Sequence, residues 1–294
     1  MAPHSEHDPS TRPASPLALG VEAIRRRPGL AWLIYGLNLL VALIISIPLL
    51  VVLERAVSES GYSEELATTF DPALWADIFT RSPDLMATLL AQLFWVVPVY
   101  LVWNVLSLTG LVHALSRGAQ GSFWTGIGRY GGRALLLGGL FLGMMLVGFV
   151  AVGLLGLAAN LIFSGAAGAY WVNVAFLPLL ILFVFAMLDM AHDFARIELV
   201  LGGHPVGASW SAGFAWLVRS SRANGVYIVW MLAAVFTLLA ATGLDLRMGG
   251  LVLAFLVQQL LMLARAAVTV GWIGSEVAVW EADAQHDMPP IAEA

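Results

Sequence analysis

Six long apolar stretches with almost no charge dominate this chain: Leu30 to Leu53, Asp84 to Leu111, Ala134 to Phe163, Tyr170 to Leu199, Gly225 to Leu244 and Gly250 to Ala278. A helix of ~20 residues rising ~1.5 Å per residue crosses a hydrocarbon core of ~30 Å. In lipid every backbone N–H and C=O must find its partner within the protein, and for runs of this length only a helix provides that. Only 11% of residues are charged and 60% are hydrophobic, where a soluble domain carries about 25% charged. The chain therefore reads as all-α and polytopic, with six transmembrane helices within residues 16–281. Residues 1–15, polar and Pro-rich, and residues 282–294 read as disordered tails, and little is left for a separate soluble domain.

The charges that do occur are ordered. All 14 basic residues are Arg, whose planar fork grips phosphate in a way that Lys does not; a GC-rich coding bias would give the same composition. Arg12, Arg25, Arg26, Arg27, Arg117, Arg129, Arg133, Arg196, Arg219 and Arg222 flank the spans on one side, against Arg55, Arg81 and Arg247 on the other. By the positive-inside rule both termini lie in the cytoplasm of a bacterial cell, with the chain in its inner membrane. The net charge of -5 argues against a nucleic-acid partner. The absence of Cys excludes disulfides, a thiolate nucleophile and Fe–S ligation by this chain.

On this topology Glu54 to Pro83 is extracytoplasmic. Asp71 followed by Pro72 reads as an N-cap and first-turn Pro opening a short helix, with Leu74, Trp75, Ile78 and Phe79 on one face. Its aromatic content suits the outer membrane surface.

A pattern of apolar residue, two residues, Gly, apolar residue occurs before three spans: Leu17, Gly20 and Val21; Phe123, Gly126 and Ile127; Trp210, Gly213 and Phe214. The copies are offset by 106 and 87 residues, and the longer interval contains the extracytoplasmic segment. This layout reads as three pseudo-repeated hairpins, with cytoplasmic interfacial amphipathic helices before spans one, three and five. In the third copy Val206, Trp210, Phe214 and Leu217 fall at helical spacing, closed by Arg219 and Arg222. Arg25, Arg26, Arg27, Arg129, Arg133, Arg219 and Arg222 are the candidate contacts to lipid headgroups, and the same helices could dock a partner protein.

The densest polar cluster is Asp189, His192, Asp193, Arg196 and Glu198 in the fourth span. Asp189, Asp193 and Arg196 share one helical face. Asp189 lies ~28 Å from Tyr170 and Arg265 ~22 Å from Gly250 along their helices. Both thus approach the inner interface, and an ion pair between the fourth and sixth spans is expected. Ionisable residues within spans are functional candidates; the alternatives are a structural lock, a proton or substrate relay, and a metal site of Asp189, His192 and Asp193. No convergent carboxylate or His from other spans supports the metal, and no cofactor is expected. Asn38, Gln92, Asn104, Asn160, Asn173, Gln258 and Gln259 read as interhelical hydrogen-bonding groups, and Pro48, Pro98 and Pro178 as kinks. Gly139 and Gly143 form a GxxxG pair for close helix packing within the chain, or between copies in a homo-oligomer.

Asp193 to Arg196, reading Asp-Phe-Ala-Arg, matches part of the alcohol-phosphatidyltransferase signature. The further Asp residues that signature needs are missing from Gly202 to Asn224, which excludes that enzyme. Taken with the three-unit layout, Arg265 in the last span and the Arg26, Arg27, Pro28 run, the stretch resembles bacterial six-span membrane proteins similar to the membrane domain of glycerophosphodiester phosphodiesterases. The resemblance covers roughly Pro16 to Glu281. It implies that any phosphodiesterase activity belongs to a separate soluble barrel, which this chain lacks, and it carries over no catalytic residue. The expected function is a non-catalytic integral membrane protein that binds lipid or a partner protein, the alternative being a transporter or permease subunit.

Overall fold

The structure is a computed structural model describing residues 15–62, 72–116, 122–245 and 251–286. The N-cap assigned to Asp71, the flanking Arg12, Arg117 and Arg247, and the tails up to Ala14 and from Asp287 lie outside the described residues. Within them the elements are helical: α1 (Pro16–Arg26), α2 (Pro28–Ser60), α3 (Pro72–Arg81), α4 (Pro83–Leu115), α5 (Phe123–Ile162), α6 (Ala166–Trp171), a π-helical turn (Val172–Phe176), α7 (Leu177–Val200), α8 (Val206–Arg219), α9 (Ser221–Asp245) and α10 (Leu251–His286). Among the described residues six helices are long and apolar enough to cross a membrane, which makes this a multi-pass membrane protein. α10 runs to His286, so residues 282–286, read from sequence as tail, are helical.

The three glycine-marked segments do not begin their spans in the same way. α1 opens on Ser15, whose Oγ accepts from the Ala18 N–H at 3.2 Å, with Pro16 in the first turn. It stops at Arg27, which leaves helical geometry (φ -138°, ψ 62°) just before Pro28. α8 stops likewise at extended Ser220 (φ -113°, ψ 97°). The segment before the third span is not a separate helix, contrary to expectation. No Pro interrupts it, the hydrogen-bond ladder continues, and α5 runs unbroken for 40 residues. At ~60 Å it is about twice the thickness of a hydrocarbon core, so part of it must lie beyond the lipid tails.

The chain forms two compact units, residues 32–104 and residues 1–31 with 105–294. In the unit of residues 32–104, Trp103 Nε1 donates to Asn38 Oδ1 at 2.9 Å, an interhelical bond of the expected kind. The short helix α3 lies in the same unit. Its apolar face is consumed by protein: Ile78 is fully buried beside Ala56 of α2 and Leu85 of α4, with Trp75 and Phe79 packed against the same cluster.

In the other unit the three pattern glycines share one circumstance, each sitting where a helix comes too close for a side chain. A Cβ on Gly20 would meet Trp230, Gly271 O and Ser275 Oγ; on Gly126, His113 and Gly110; on Gly213, Ala191 O and Ala195. α1 thus seats on α10, the start of α5 on α4, and α8 on α7. Its hold on α10 is completed by Ser275 Oγ, which donates to Pro16 O at 2.9 Å and accepts from Trp230 Nε1 at 2.9 Å. Gly139 and Gly143 behave otherwise. A Cβ on either would meet nothing within 4 Å among the described residues, whereas one on Gly138, Gly148 or Gly156 would meet Val105, Val184 or Leu177.

Pro178 follows the π-helical turn. Proline has no N–H to return to the preceding turn, and the wider turn, in which the Leu177 N–H reaches Val172 O, absorbs the mismatch without ending the helix. Asn160 and Asn173 bond reciprocally at 3.0 and 3.3 Å across the bend from α5 into this segment.

Candidate functional site

α7 ends in about three turns, Met190 to Val200, whose side chains are almost all buried. His192 is 4% exposed, Asp193 7% and Arg196 2%, values that for charged groups demand partners. Helical spacing supplies the first of them. Arg196 Nη1 donates to Asp193 Oδ1 at 2.9 Å, three residues back, and Nη2 lies 3.2 Å from His192 Nδ1, four residues back.

The rest come from other helices. Tyr227 of α9 donates its hydroxyl to Asp189 Oδ2 at 2.9 Å. The imidazole of His192 stacks on Phe141 of α5, centroids 4.4 Å apart and planes within 8°, and Trp210 of α8 lies on it at 6.2 Å. Glu276 of α10 is fully buried and accepts from Trp272 Nε1 at 2.6 Å. Trp272 in turn meets Tyr227 edge-on at 5.2 Å, and Asp189, Asp193 and Arg196 all act electrostatically on Glu276. Five helices thus converge on one ion pair.

Of the residues expected from sequence, Asp189, His192, Asp193 and Arg196 are together, and Arg265 is not. Arg265 is exposed on α10, and the cation on Asp193 is Arg196 from the same helix. The expected bridge between the fourth and sixth spans is therefore absent; Glu276, with Trp272 and Tyr227, takes the place assigned to Arg265. A metal at Asp189, His192 and Asp193 is disfavoured by the guanidinium that already faces both His192 and Asp193, and among the described residues no group of three His, Asp or Glu is placed to hold one. Three buried polar atoms of the cluster, His192 Nε2, Arg196 Nε and Glu276 Oε2, have no hydrogen-bond partner. The arrangement sets three carboxyl groups against one guanidinium beside a buried imidazole, and it can lock helices or pass a proton.

The candidate headgroup contacts lie around this same end of the bundle. Arg25, Arg26, Arg27, Arg129, Arg133 and Arg219 are exposed, while Arg222 is half-buried on α9. Arg26 Nε pairs with Glu22 at 2.8 Å. Two cavities open here, and of the sequence cluster only Glu198 lines either of them. One is bordered by Arg26, Arg27, Ser116 and Glu281, the other by Glu198, Trp216, Arg219, Trp280 and Asp283.

Comparison of the chain with protein-family models, with curated proteins and with solved structures gave no match.

Proposed function

We propose that this chain is a non-catalytic protein of the bacterial inner membrane, its termini cytoplasmic and its six spans an internal triplication, that binds anionic lipid headgroups through the Arg-flanked segments before spans one, three and five. The observation that carries the reading is the exposure of six guanidinium groups at the end of the bundle where α1 and α8 are seated on the long helices. The equivalent seats of Gly20, Gly126 and Gly213 support the triplication. Arg near an anionic surface contributes about 1 kcal/mol per residue. Native mass spectrometry of the full chain, released from membranes with its lipids, tests this: phosphatidylglycerol or cardiolipin should be retained, and Arg25→Gln, Arg26→Gln and Arg27→Gln together should lower retention roughly fivefold per Arg removed. Unchanged retention would refute the lipid reading. A stoichiometric protein on the wild type, lost from the same variant, would instead make these helices a dock for a partner protein.

The three unpartnered atoms of the buried cluster favour a second reading, a transporter subunit that uses the cluster as a relay. Asp193→Asn separates the two. In a relay it leaves the unfolding midpoint in detergent unchanged and abolishes uptake; in a lock it lowers the midpoint. A variant with both properties intact would eliminate both roles.

A further inference from the structure

α8 and α10 leave a cavity of about 530 Å³ between them, within the size range of small-ligand sites. Ala212, Ala215, Trp216 and Arg219 line it from α8 at helical spacing, and Trp280, Asp283 and Ala284 from α10. The alanines create the room.

Glu198, at the end of α7, organises the cavity's inner side. Trp216 Nε1 and Trp280 Nε1 both donate to its Oε1, at 2.9 and 3.0 Å. Its other oxygen faces His204 Nε2 at 3.7 Å, and the side chain is 12% exposed. The indoles are thereby fixed, and Trp216 is further held by stacking on Phe194 at 5.0 Å. Their N–H groups are neutral, so they orient the carboxylate without neutralising it.

Two more ionisable groups line the cavity, Arg219 and Asp283, and neither makes an ion pair or a side-chain hydrogen bond among the described residues. Two carboxylates and one guanidinium are a poor host for a simple anion, because Glu198 and Asp283 would repel it. They suit a ligand that carries both signs. An ammonium group gains from two carboxylates and from flanking indoles, and a phosphodiester gains from the forked guanidinium. Trp and Arg together also mark the headgroup level of a membrane.

We propose that this cavity binds an ammonium-bearing phosphodiester, the chemistry of a phosphoethanolamine headgroup. The proposal rests on the reading that this end of the bundle faces the headgroup layer, and it adds a zwitterionic site to the anionic contacts of the exposed arginines. The ligand comes either from a lipid or from a soluble phosphoethanolamine ester.

The test is native mass spectrometry of the full chain in detergent, titrated separately with dihexanoyl-phosphatidylethanolamine, dihexanoyl-phosphatidylglycerol and glycerophosphoethanolamine. Binding of the phosphatidylethanolamine probe should weaken at least fivefold in Asp283→Asn, while phosphatidylglycerol binding stays at the wild-type level. Among the described residues Asp283 has no ion-pair or side-chain hydrogen-bond partner, which makes it a cleaner probe than Glu198, whose Oε1 accepts from two indoles. Glycerophosphoethanolamine binding as tightly as the lipid probe upholds the ligand class and identifies a soluble source; much weaker binding upholds it with a lipid source. Phosphatidylethanolamine binding that Asp283→Asn leaves unchanged overturns the cavity assignment. Binding of phosphatidylglycerol alone, sensitive to Arg25, Arg26 and Arg27 but not to Asp283, overturns the cavity and leaves the anionic-lipid reading standing. No binding of any probe overturns both.

Discussion

Arg196→Met should destabilise the folded protein by about 3 to 5 kcal/mol, the range measured when one member of a buried ion pair is removed, and so produce a large fall in the unfolding midpoint in detergent. The loss comes less from the missing attraction than from what remains. Asp193, 7% exposed, loses the donor to its Oδ1, and His192 loses the group facing its Nδ1. A second substitution tests this account. Adding Asp193→Leu removes the stranded carboxyl, and isosteric apolar replacement of a buried pair is often near neutral, so the double variant should recover most of the loss. If the double variant is as unstable as the single one, the pair does not account for the stability of this junction, and Phe141 and Trp210 around His192 become the better explanation.

Gly213→Val is expected to unseat α8 from α7. Even the first added carbon would fall 2.2 Å from Ala191 O and 2.9 Å from both Ala195 N and Cβ, and two of those three atoms are backbone that cannot swing aside. Overpacking of this kind costs about 1 to 3 kcal/mol when neighbours can yield, and more when they cannot. Because Trp210 and Trp216 ride on α8, its displacement would also loosen the aromatic cover of His192 and the bond to Glu198. Gly207→Ala is the control on the same helix. Its Cβ would meet nothing within 4 Å, and a helical Gly to Ala change is favourable by up to about 1 kcal/mol. Limited proteolysis between Leu201 and Pro205 would report the difference: faster cleavage in Gly213→Val, unchanged in Gly207→Ala. Equal rates in the two variants would show that the close approach at Gly213 is not what holds α8.

The spans were legible because the bilayer imposes one solution on a long apolar run, and the clustering of Asp189, Asp193 and Arg196 was legible because helical spacing brings them together. The partner across the bundle was not. Depth counting matched Arg265 to the cluster, but it fixes height along a helix and says nothing of the direction a side chain faces; Arg265 faces outward. Glu276 was passed over because it follows an apolar run and resembles a span boundary. A signal for it existed. Gly20 seats against Gly271 and Ser275, and Gly213 against Ala191 and Ala195, so the residue after each of these small pairs occupies the same place on its helix. In α7 that residue is Arg196 and in α10 it is Glu276. The unbroken α5 escaped for a different reason: amphipathic and transmembrane segments differ in composition, but nothing in composition alone requires a break between them.

The seat of α1 is made by Trp230, Gly271 and Ser275, residues of the last two spans. A ribosome working at about 5 to 20 residues per second delivers α10 roughly 12 to 50 s after α1. Through that interval α1 lacks the residues against which Gly20 packs in the finished structure. The contact that fixes α1 on α10 therefore forms only after the last of the described helices has been made, although α1 is the first of them in the chain.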